Sequence, residues 1–583
     1  MQLPTFKKMT WFQLAALLVI AVGFLAYVNT LPNGMFWDDD DFILNNRYIQ
    51  DLGNWPKYFT ENMIAGAGLN SNYWRPALQL VFAVEYRLWG AWTPGFHAVN
   101  MAGHILAAIL LLGLLQRLFK NKFLSLATAL IFLLHPVQVE AVSYVNSFGD
   151  SLSVIFILGG LHAYMRWRES GRPAHDSGWF FSALGAYLLA LMSKETAIVM
   201  PGLVFLIDWI VIKESLWRPK LAKIFGGLWA FLAMLGGYVL LRATVLNFNN
   251  TFNIYHEQNV FTGSFYVRLL TFFKVLWLYA AVIFWPVDLH MERSPAIGFV
   301  TSPFNWQVGA GVIIFGLLLA ALVYFWKKSP AISFGLGWFF IGLSITSNLA
   351  VPVSGLMYEH WLYLPLAGFA LAILTAGTLI FKSGRLQKIG LVILLIFLIG
   401  FLMQTVRRNF DWRDPVIFYQ QTLRYAPQSY RLLNNLGMEY ADLGEYSQAI
   451  IYYRRAAEND PGNPVAFHNL ANSYGAQGNF AEAEKNYRQA LELDPKFLFS
   501  YNSLAALYFQ HKKYPEAFAV LEKLLDRSTS PGPLLYQMIQ IAVGLKDLDR
   551  AGRYASLGQT LNLPDYNWSG LLVEIQKLQK QKL

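Results

Sequence analysis

The sequence predicts an all-α protein, a polytopic bundle of about eleven membrane spans followed by an α-solenoid of short helical repeats. Three observations carry this. Only 14% of the residues are charged and 55% are hydrophobic, against about 25% charged in a typical soluble domain. Apolar runs of a length that crosses a bilayer, about 20 residues, recur through the first 406 residues. Beyond them, Pro427, Pro461 and Pro495 stand 34 residues apart, a period that marks stacked helical hairpins.

The chain opens on Lys7-Lys8 and an apolar run from Trp11 to Val28, with no small-residue cleavage site before Leu31-Pro32-Asn33-Gly34. An uncleaved first span with a cytoplasmic N-terminus is expected. The other predicted spans lie near 97–118, 123–143, 148–165, 179–193, 197–212, 225–246, 307–326, 331–349, 361–381 and 389–406. Basic residues follow the cytoplasmic bias of membrane proteins at Lys7/Lys8, Arg117/Lys120/Lys122, Arg166/Arg168/Arg172, Lys213/Arg218/Lys220/Lys223, Lys327/Lys328 and Lys382/Arg385/Lys388. This pattern holds only if the run 266–286, with Arg268, Lys274 and Trp285-Pro286, does not cross. That run is read as lying within the exposed loop or re-entering, which puts the C-terminal repeats on the non-cytoplasmic side. The net charge of +10 is thus a topology signal, and no nucleic-acid partner is expected. The chain has no cysteine, which excludes disulfides and thiolate chemistry.

The first exposed loop, 30–96, is long, acidic and rich in tryptophan. Its semi-apolar stretch Pro76 to Leu88 is expected to lie along the interface between Trp74 and Trp89. After residue 406 a linker and half-repeat, 407–429, leads into three repeats. The first, 430–463, reads Leu436-Gly437, Tyr440, Gly444, Tyr446, Ala449, Tyr453, Ala456, Pro461. The second, 464–497, reads Leu470-Ala471, Tyr474, Gly478, Phe480, Ala483, Tyr487, Ala490, Pro495. The third, 498–531, reads Leu504-Ala505, Tyr508, Tyr514, Ala517, Leu521. This is the tetratricopeptide pattern, in which small residues let paired helices approach and aromatics fill the gaps. A degenerate fourth pair near 532–565 is expected to cap the stack within 430–583.

The sharpest local signal is Phe36-Trp37-Asp38-Asp39-Asp40-Asp41, just past the first span. Adjacent carboxylates raise one another's pKa, and such a group can act as a general base or hold a divalent cation. A solvated loop is the ordinary reading of an acidic run, but this one is bracketed by aromatic and apolar residues beside the membrane. Other polar residues gather at the exposed ends of spans: Arg75, His97, Asn100, His135, Glu140, Asn146, Asp150, Lys194, Glu195, Glu359, His360 and Tyr363. Singly each can be a structural ion pair; together they predict a site for an anionic substrate at the membrane boundary, with Arg75 and Lys194 as phosphate partners. No P-loop, His-Glu-x-x-His or Gly-x-Ser-x-Gly is present, which leaves ATP hydrolysis, metalloprotease and α/β-hydrolase chemistry without support.

The segments FWDDDDFILNN, YWRPALQLVF, PGFHAVN, HPVQVEAVSYVNSFGD, LMSKETAIVMP and MYEHWLYLPLAGF, in this order and ahead of tetratricopeptide repeats, resemble the transmembrane and tetratricopeptide-repeat-containing O-mannosyltransferases and their bacterial relatives, in the GT-C superfamily. The resemblance covers most of the chain. It implies a GT-C-like domain over 1–406, a polyprenyl-phosphate-linked sugar donor and a hydroxyl acceptor on a protein. It places the family's acidic pair on Asp38 and Asp39, with Asp40 and Asp41 blurring which carboxylate is the base. Donor-side residues fall on Arg75, His97, His135, Glu140, Lys194, Glu195, Glu359 and Tyr363, with Arg293 as a weaker candidate. His360 stands where the family often has Arg, which questions a phosphate role there. Members with a monophosphate donor resemble metal-independent enzymes, so no cofactor is assigned, although a divalent cation at Asp38–Asp41 stays open.

The repeats are expected to recruit the protein acceptor through Asn434, Asn435, Asn469, Asn472 and Asn502, since amides can bond a peptide backbone of any sequence. The expected location is a bacterial inner membrane with periplasmic repeats, or the endoplasmic reticulum with luminal ones. Two rival readings are an O-antigen-ligase-like glycan transferase, which would use a late loop rich in Arg and His, and a non-enzymatic membrane-anchored scaffold.

Overall fold

The computed structural model describes residues 9–170, 177–212, 217–248, 259–527, 531–561, 563 and 566–582. Lys7, Lys8, Arg172 and Lys213, used in the topology argument, lie outside the described residues. The chain divides into two compact units, 1–426 and 427–583.

The α-helices of five residues or more are numbered. In the first unit they are α1 Trp11–Tyr27, α2 Pro76–Trp89, α3 Thr93–Phe119, α4 Lys122–Leu134, α5 Val139–Ser143, α6 Phe148–Glu169, α7 Ser177–Leu191, α8 Met200–Val211, α9 Trp217–Ala243, α10 Phe265–Phe284, α11 Trp306–Phe325, α12 Pro330–Ser344, α13 Tyr363–Ile380, α14 Gly384–Asn409 and α15 Pro415–Leu423. No strand occurs among the described residues. Among the described residues nine of these helices are long and apolar enough to cross a membrane. The pair α4–α5 makes a tenth as a broken span, bent by 53°, because Pro136 cannot continue the ladder and His135 turns out of it. The expected spans 179–193 and 197–212 coincide with α7 and α8, of 15 and 12 residues, shorter than the roughly 20 that cross a bilayer.

The segment expected to stay in the exposed loop, 266–286, is the unbroken 20-residue helix α10 and counts among the nine. Its middle is bonded to loop backbone: Lys274 Nζ donates to Ile297 O (2.5 Å), and Tyr279 OH donates to Tyr358 O (3.2 Å). By length and hydropathy this helix qualifies as a crossing, which the sequence reading excludes. Helix α2 is amphipathic. Leu80, Val84 and Leu88 form an exposed apolar row, whereas Leu78, Phe82 and Glu85 face inward. The start of α2 is tied to the end of α7 by Ala77 N donating to Met192 O.

The core of the first unit is built around one buried stretch. Every residue from Phe132 to Val154 is buried, although the helix breaks there twice. A buried break must satisfy its backbone polar groups. Asn100 does so for the second break: its Nδ2 lies 3.2, 3.2 and 3.3 Å from the carbonyls of Val142, Tyr144 and Val145.

The second unit holds α16 Tyr430–Asp442, α17 Tyr446–Asn459, α18 Pro464–Ala476, α19 Phe480–Leu493, α20 Leu498–Gln510, α21 Tyr514–Leu525, α22 Pro531–Gly544, α23 Leu548–Thr560 and a last helix, α24 Trp568–Lys582. The turn inside each hairpin needs a left-handed residue. It is Gly444 (φ 77°), Gly478 (φ 77°), Lys512 (φ 57°) and Lys546 (φ 59°). The common spacing shows that α22–α23 is a fourth true repeat despite its degenerate sequence. A left-handed residue with a Cβ costs about 1–2 kcal/mol relative to glycine, partly offset by the unfolded chain's entropy. Lys512→Gly is therefore expected to stabilise the repeats by about 0.5–1 kcal/mol, measured as a raised urea midpoint at unchanged slope.

Candidate functional site

The first exposed loop is anchored before its acidic run begins. Asn33 donates to Asn409 O (3.1 Å), and Gly34 N donates to Arg413 O (3.0 Å). His97, fully buried, donates from Nε2 to Asn33 O (3.1 Å). His97 thus holds the stem of the acidic loop. Phe36 and Trp37 pack on α15, with ring centroids 5.1 Å from Phe418 and 5.6 Å from Tyr419 respectively. Residues through Ala426, read from the sequence within a linker and half-repeat, belong to this unit.

Trp37 is left-handed, φ 64°, which is costly for a bulky residue, about 1–3 kcal/mol. Strain of this kind collects at functional sites. It throws the next two carboxylates to opposite sides. Asp38 is exposed, whereas Asp39 is 1% exposed. Asp39 accepts Asn146 N at Oδ1 (2.8 Å) and Phe36 N at Oδ2 (3.4 Å). Burial, with the charges of Asp38 and Asp40, pushes its carboxyl well above the usual range against these two bonds. Asp39 therefore pins the acidic loop to the α5–α6 break, and Asp38 is left at the surface. Asp40 is exposed and Asp41 half-buried. A single π-type turn follows, Asn45 N donating to Asp40 O (2.7 Å). Among the described residues no group of three or more His, Cys, Asp or Glu side chains is placed to hold a metal ion.

The unit also holds two buried charged clusters. In the first, Arg75 makes a forked contact to Glu195, Nη2–Oε2 2.9 Å, and Lys194 Nζ donates to Asp150 Oδ2, 2.5 Å. Burial opposes ionisation of Glu195, but Arg75 outweighs it and holds that carboxyl below its ordinary range. Buried Arg242 joins this cluster by donating to Asn72 O and Leu246 O. The two phosphate partners expected from the sequence are thus each matched by a carboxylate.

In the second, Glu359, fully buried, accepts His290 N (2.6 Å) and Arg293 Nη2 (3.1 Å) at Oε1 and Arg408 Nη2 (3.1 Å) at Oε2. Glu140, also fully buried, accepts His360 Nδ1 at Oε1 (2.7 Å) and the backbone N–H of Glu359 and His360 at Oε2. Burial, then the Arg293 charge, pushes the His290 imidazole down to about 3. His290 is thus neutral and stacks on Tyr425 at 4.3 Å. The sequence left the phosphate role at His360 in doubt; here two arginines from distant segments reach the same carboxylate.

Two expected donor residues are structural in this arrangement. Tyr363 OH accepts from Ser151 Oγ (2.9 Å) and donates to His104 Nδ1 (2.7 Å), whose Nε2 donates to Leu133 O (3.1 Å). His135 accepts Val137 N at Nδ1 and donates from Nε2 to Ile283 O (2.9 Å). Asn409 gave no sequence signal and joins three segments: its Nδ2 donates to Ala26 O and Asn29 Oδ1 (both 2.8 Å), and its Oδ1 accepts Ser143 Oγ (3.0 Å).

In the repeat unit, Asn469 Nδ2 donates to Asn434 Oδ1 (2.9 Å), a bond between successive repeats, and Asn434 is buried. Asn472 is exposed, with its Oδ1 accepting Tyr487 OH and its Nδ2 against His468. Asn502 is exposed and Asn435 half-buried. Asn434 and Asn469 thus serve packing, and Asn472 and Asn502 face solvent.

The tetratricopeptide repeat model matches residues 430–463 and 464–497, and a second model of that description matches 500–529. Over 75% of the chain the sequence is 26% identical to protein O-mannosyl-transferase TMTC4 of Homo sapiens, covering 65% of it. Over 73% it is 26% identical to protein O-mannosyl-transferase F38B6.6 of Caenorhabditis elegans, covering 60% of that protein. The relatives of this chain are protein O-mannosyl-transferases. The resemblance carried by the motifs agrees with this, and the chain spans less than two thirds of the length of these relatives. A solved structure, ArnT from Cupriavidus metallidurans bound to undecaprenyl phosphate, is 15% identical over 83% of this chain and 80% of its own, with a TM-score of 0.40, too distant to bear on function.

Proposed function

We propose that this chain is a membrane glycosyltransferase that moves a sugar, mannose by its relatives' names, from a polyprenyl phosphate to a hydroxyl on a protein. The observation that carries it is the split of the acidic pair: an exposed Asp38 beside a buried Asp39 that anchors the loop. The acceptor O–H attacks the anomeric carbon and gives its proton to the Asp38 carboxylate. The anomeric C–O bond to phosphate breaks, and the electron pair leaves with the polyprenyl phosphate. Cations stabilise that charge as it develops. No step requires a metal. Incubating the purified chain with radiolabelled polyprenyl-phosphate mannose or glucose should put label on protein, and label on neither would sink the reading.

The exposed amides of the repeats suit an extended Ser/Thr-containing acceptor, on the non-cytoplasmic side of a bacterial inner membrane or of the endoplasmic reticulum. Removing 427–583 is expected to lower transfer to protein several-fold more than hydrolysis of the donor. Equal loss of both in a well-folded truncation would make the repeats structural.

A further inference from the structure

The acidic run is held from far along the chain. Residues 410–426 follow α14 and carry one short helix, α15. Trp412, Phe418 and Tyr419 of this strap are all buried, and their rings face the stem of the acidic loop. Phe36 lies 5.1 Å from Phe418, 6.2 Å from Tyr419 and 6.1 Å from Trp412, between ring centroids. Trp37 lies 6.1 Å from Phe418 and 5.6 Å from Tyr419. Beyond α15 the strap is fixed again: Tyr425 OH donates to Asp288 Oδ1 (3.1 Å), and the ring stacks on His290.

Two successive side chains, Phe36 and Trp37, thus pack on the same two rings. In an extended segment successive side chains point to opposite sides, so the backbone between them has to turn. The left-handed Trp37, φ 64°, is that turn. Such strain persists only where the surroundings over-determine it. The rings of α15 do so, because aromatic pairs at these distances attract beyond the area they bury. On the other flank of Asp38, Asp39 is bonded to Asn146 N. The exposed Asp38 carboxylate therefore stands between one residue fixed to α15 and one fixed to the α5–α6 break. A group that takes a proton has to be held close to one geometry, and a surface side chain has little packing of its own to hold it.

We infer that Tyr419 is a positioning residue for the proposed base: its ring holds Trp37 left-handed and so sets where the Asp38 carboxylate points. The inference rests on the transferase reading with Asp38 as base. It gives the 410–426 strap a part in catalysis beyond joining the spans to the repeats.

One arm of the test needs no sugar transfer. The chain has no cysteine, so Asp40→Cys puts a single spin label at an exposed position of the acidic run. In the full chain that label should show restricted motion. Tyr419→Ala should shift it to fast motion, and Tyr419→Phe, which keeps the ring, should restore the restricted spectrum. In the second arm, without the label, Tyr419→Ala should lower kcat for transfer from polyprenyl-phosphate mannose about tenfold or more and leave the KM for that donor unchanged. Tyr419→Phe should keep the parent kcat. Ile417→Ala, on the exposed side of α15, should change neither arm. Trp37→Ala removes the other half of the contact, so Trp37→Ala with Tyr419→Ala should fall no further than Trp37→Ala alone. Tyr419→Leu, close in volume but without the ring, serves in both arms if Tyr419→Ala does not fold. A label indifferent to loss of the ring, an unchanged kcat, or additive losses in the double variant would overturn the assignment. A parent chain that transfers no sugar while its label responds keeps the strap's hold on the loop and removes the transferase reading. Transfer by the parent with an indifferent label removes the assignment alone.

Discussion

Asp38→Asn is expected to lower sugar transfer about 10²–10⁴-fold, the range for loss of a general base, with donor binding retained. Asp38 is exposed, so the amide replaces the carboxylate without disturbing packing. Asp39→Asn should also lower transfer, by a different route. Asp39 accepts two backbone N–H groups, one at each oxygen. An asparagine offers one acceptor and turns its NH₂ on the other donor, leaving a buried N–H unmet at a cost of about 1–3 kcal/mol. Its loss should therefore appear with faster proteolysis of the 30–96 loop and reduced thermal stability, neither of which Asp38→Asn should show. Asp40→Asn, at an exposed carboxylate, should stay closer to the parent rate. The measurement is initial transfer rate, donor affinity and limited proteolysis for the three variants together. Near-normal transfer by Asp38→Asn would remove it as the base.

The order of motifs along the chain made the helical membrane fold legible and named most residues of the candidate site, because each motif is a local signal at the end of an apolar run. The base was left open between Asp38 and Asp39 because adjacent residues look alike in a sequence, and only the left-handed Trp37 puts one outside and one inside. Arg293 and Arg408 were harder, since nothing local links a loop after α10 to the end of α14. A signal existed: Arg407-Arg408 closes an apolar run on the side read as non-cytoplasmic, against the usual bias of basic residues. A cation on the wrong side of a membrane needs a partner, and Glu359 is that partner. Asn409 had no such signal, because an asparagine at the end of a span reads as an ordinary boundary residue. Its role exists only when α1, α5 and the loop stem meet around it. His97 and His135 drew notice as polar residues at the ends of apolar runs, but they bond backbone groups, and Tyr363 bonds the side chains of Ser151 and His104.

Glu359→Gln is expected to destabilise the membrane unit by about 3–5 kcal/mol, the usual cost of removing one partner from a buried ion pair. Glu359 is fully buried and faces Arg293, Arg408 and the N–H of His290. A glutamine keeps one acceptor, directs an NH₂ at a guanidinium, and leaves two positive charges in a buried site without their shared counter-ion. Asp411 gives the contrast. It pairs with the same Arg408 at 3.2 Å but is about one third exposed, so water can replace it, and Asp411→Asn should cost no more than about 1 kcal/mol. The two variants differ in burial while sharing an arginine and a charge change. Thermal unfolding in one detergent, read as loss of the monodisperse monomer, should therefore separate Glu359→Gln clearly from the parent and leave Asp411→Asn beside it. If both shift equally and little, the arginines are hydrated in solution and the cluster around Glu359 is not the closed ion pair described above.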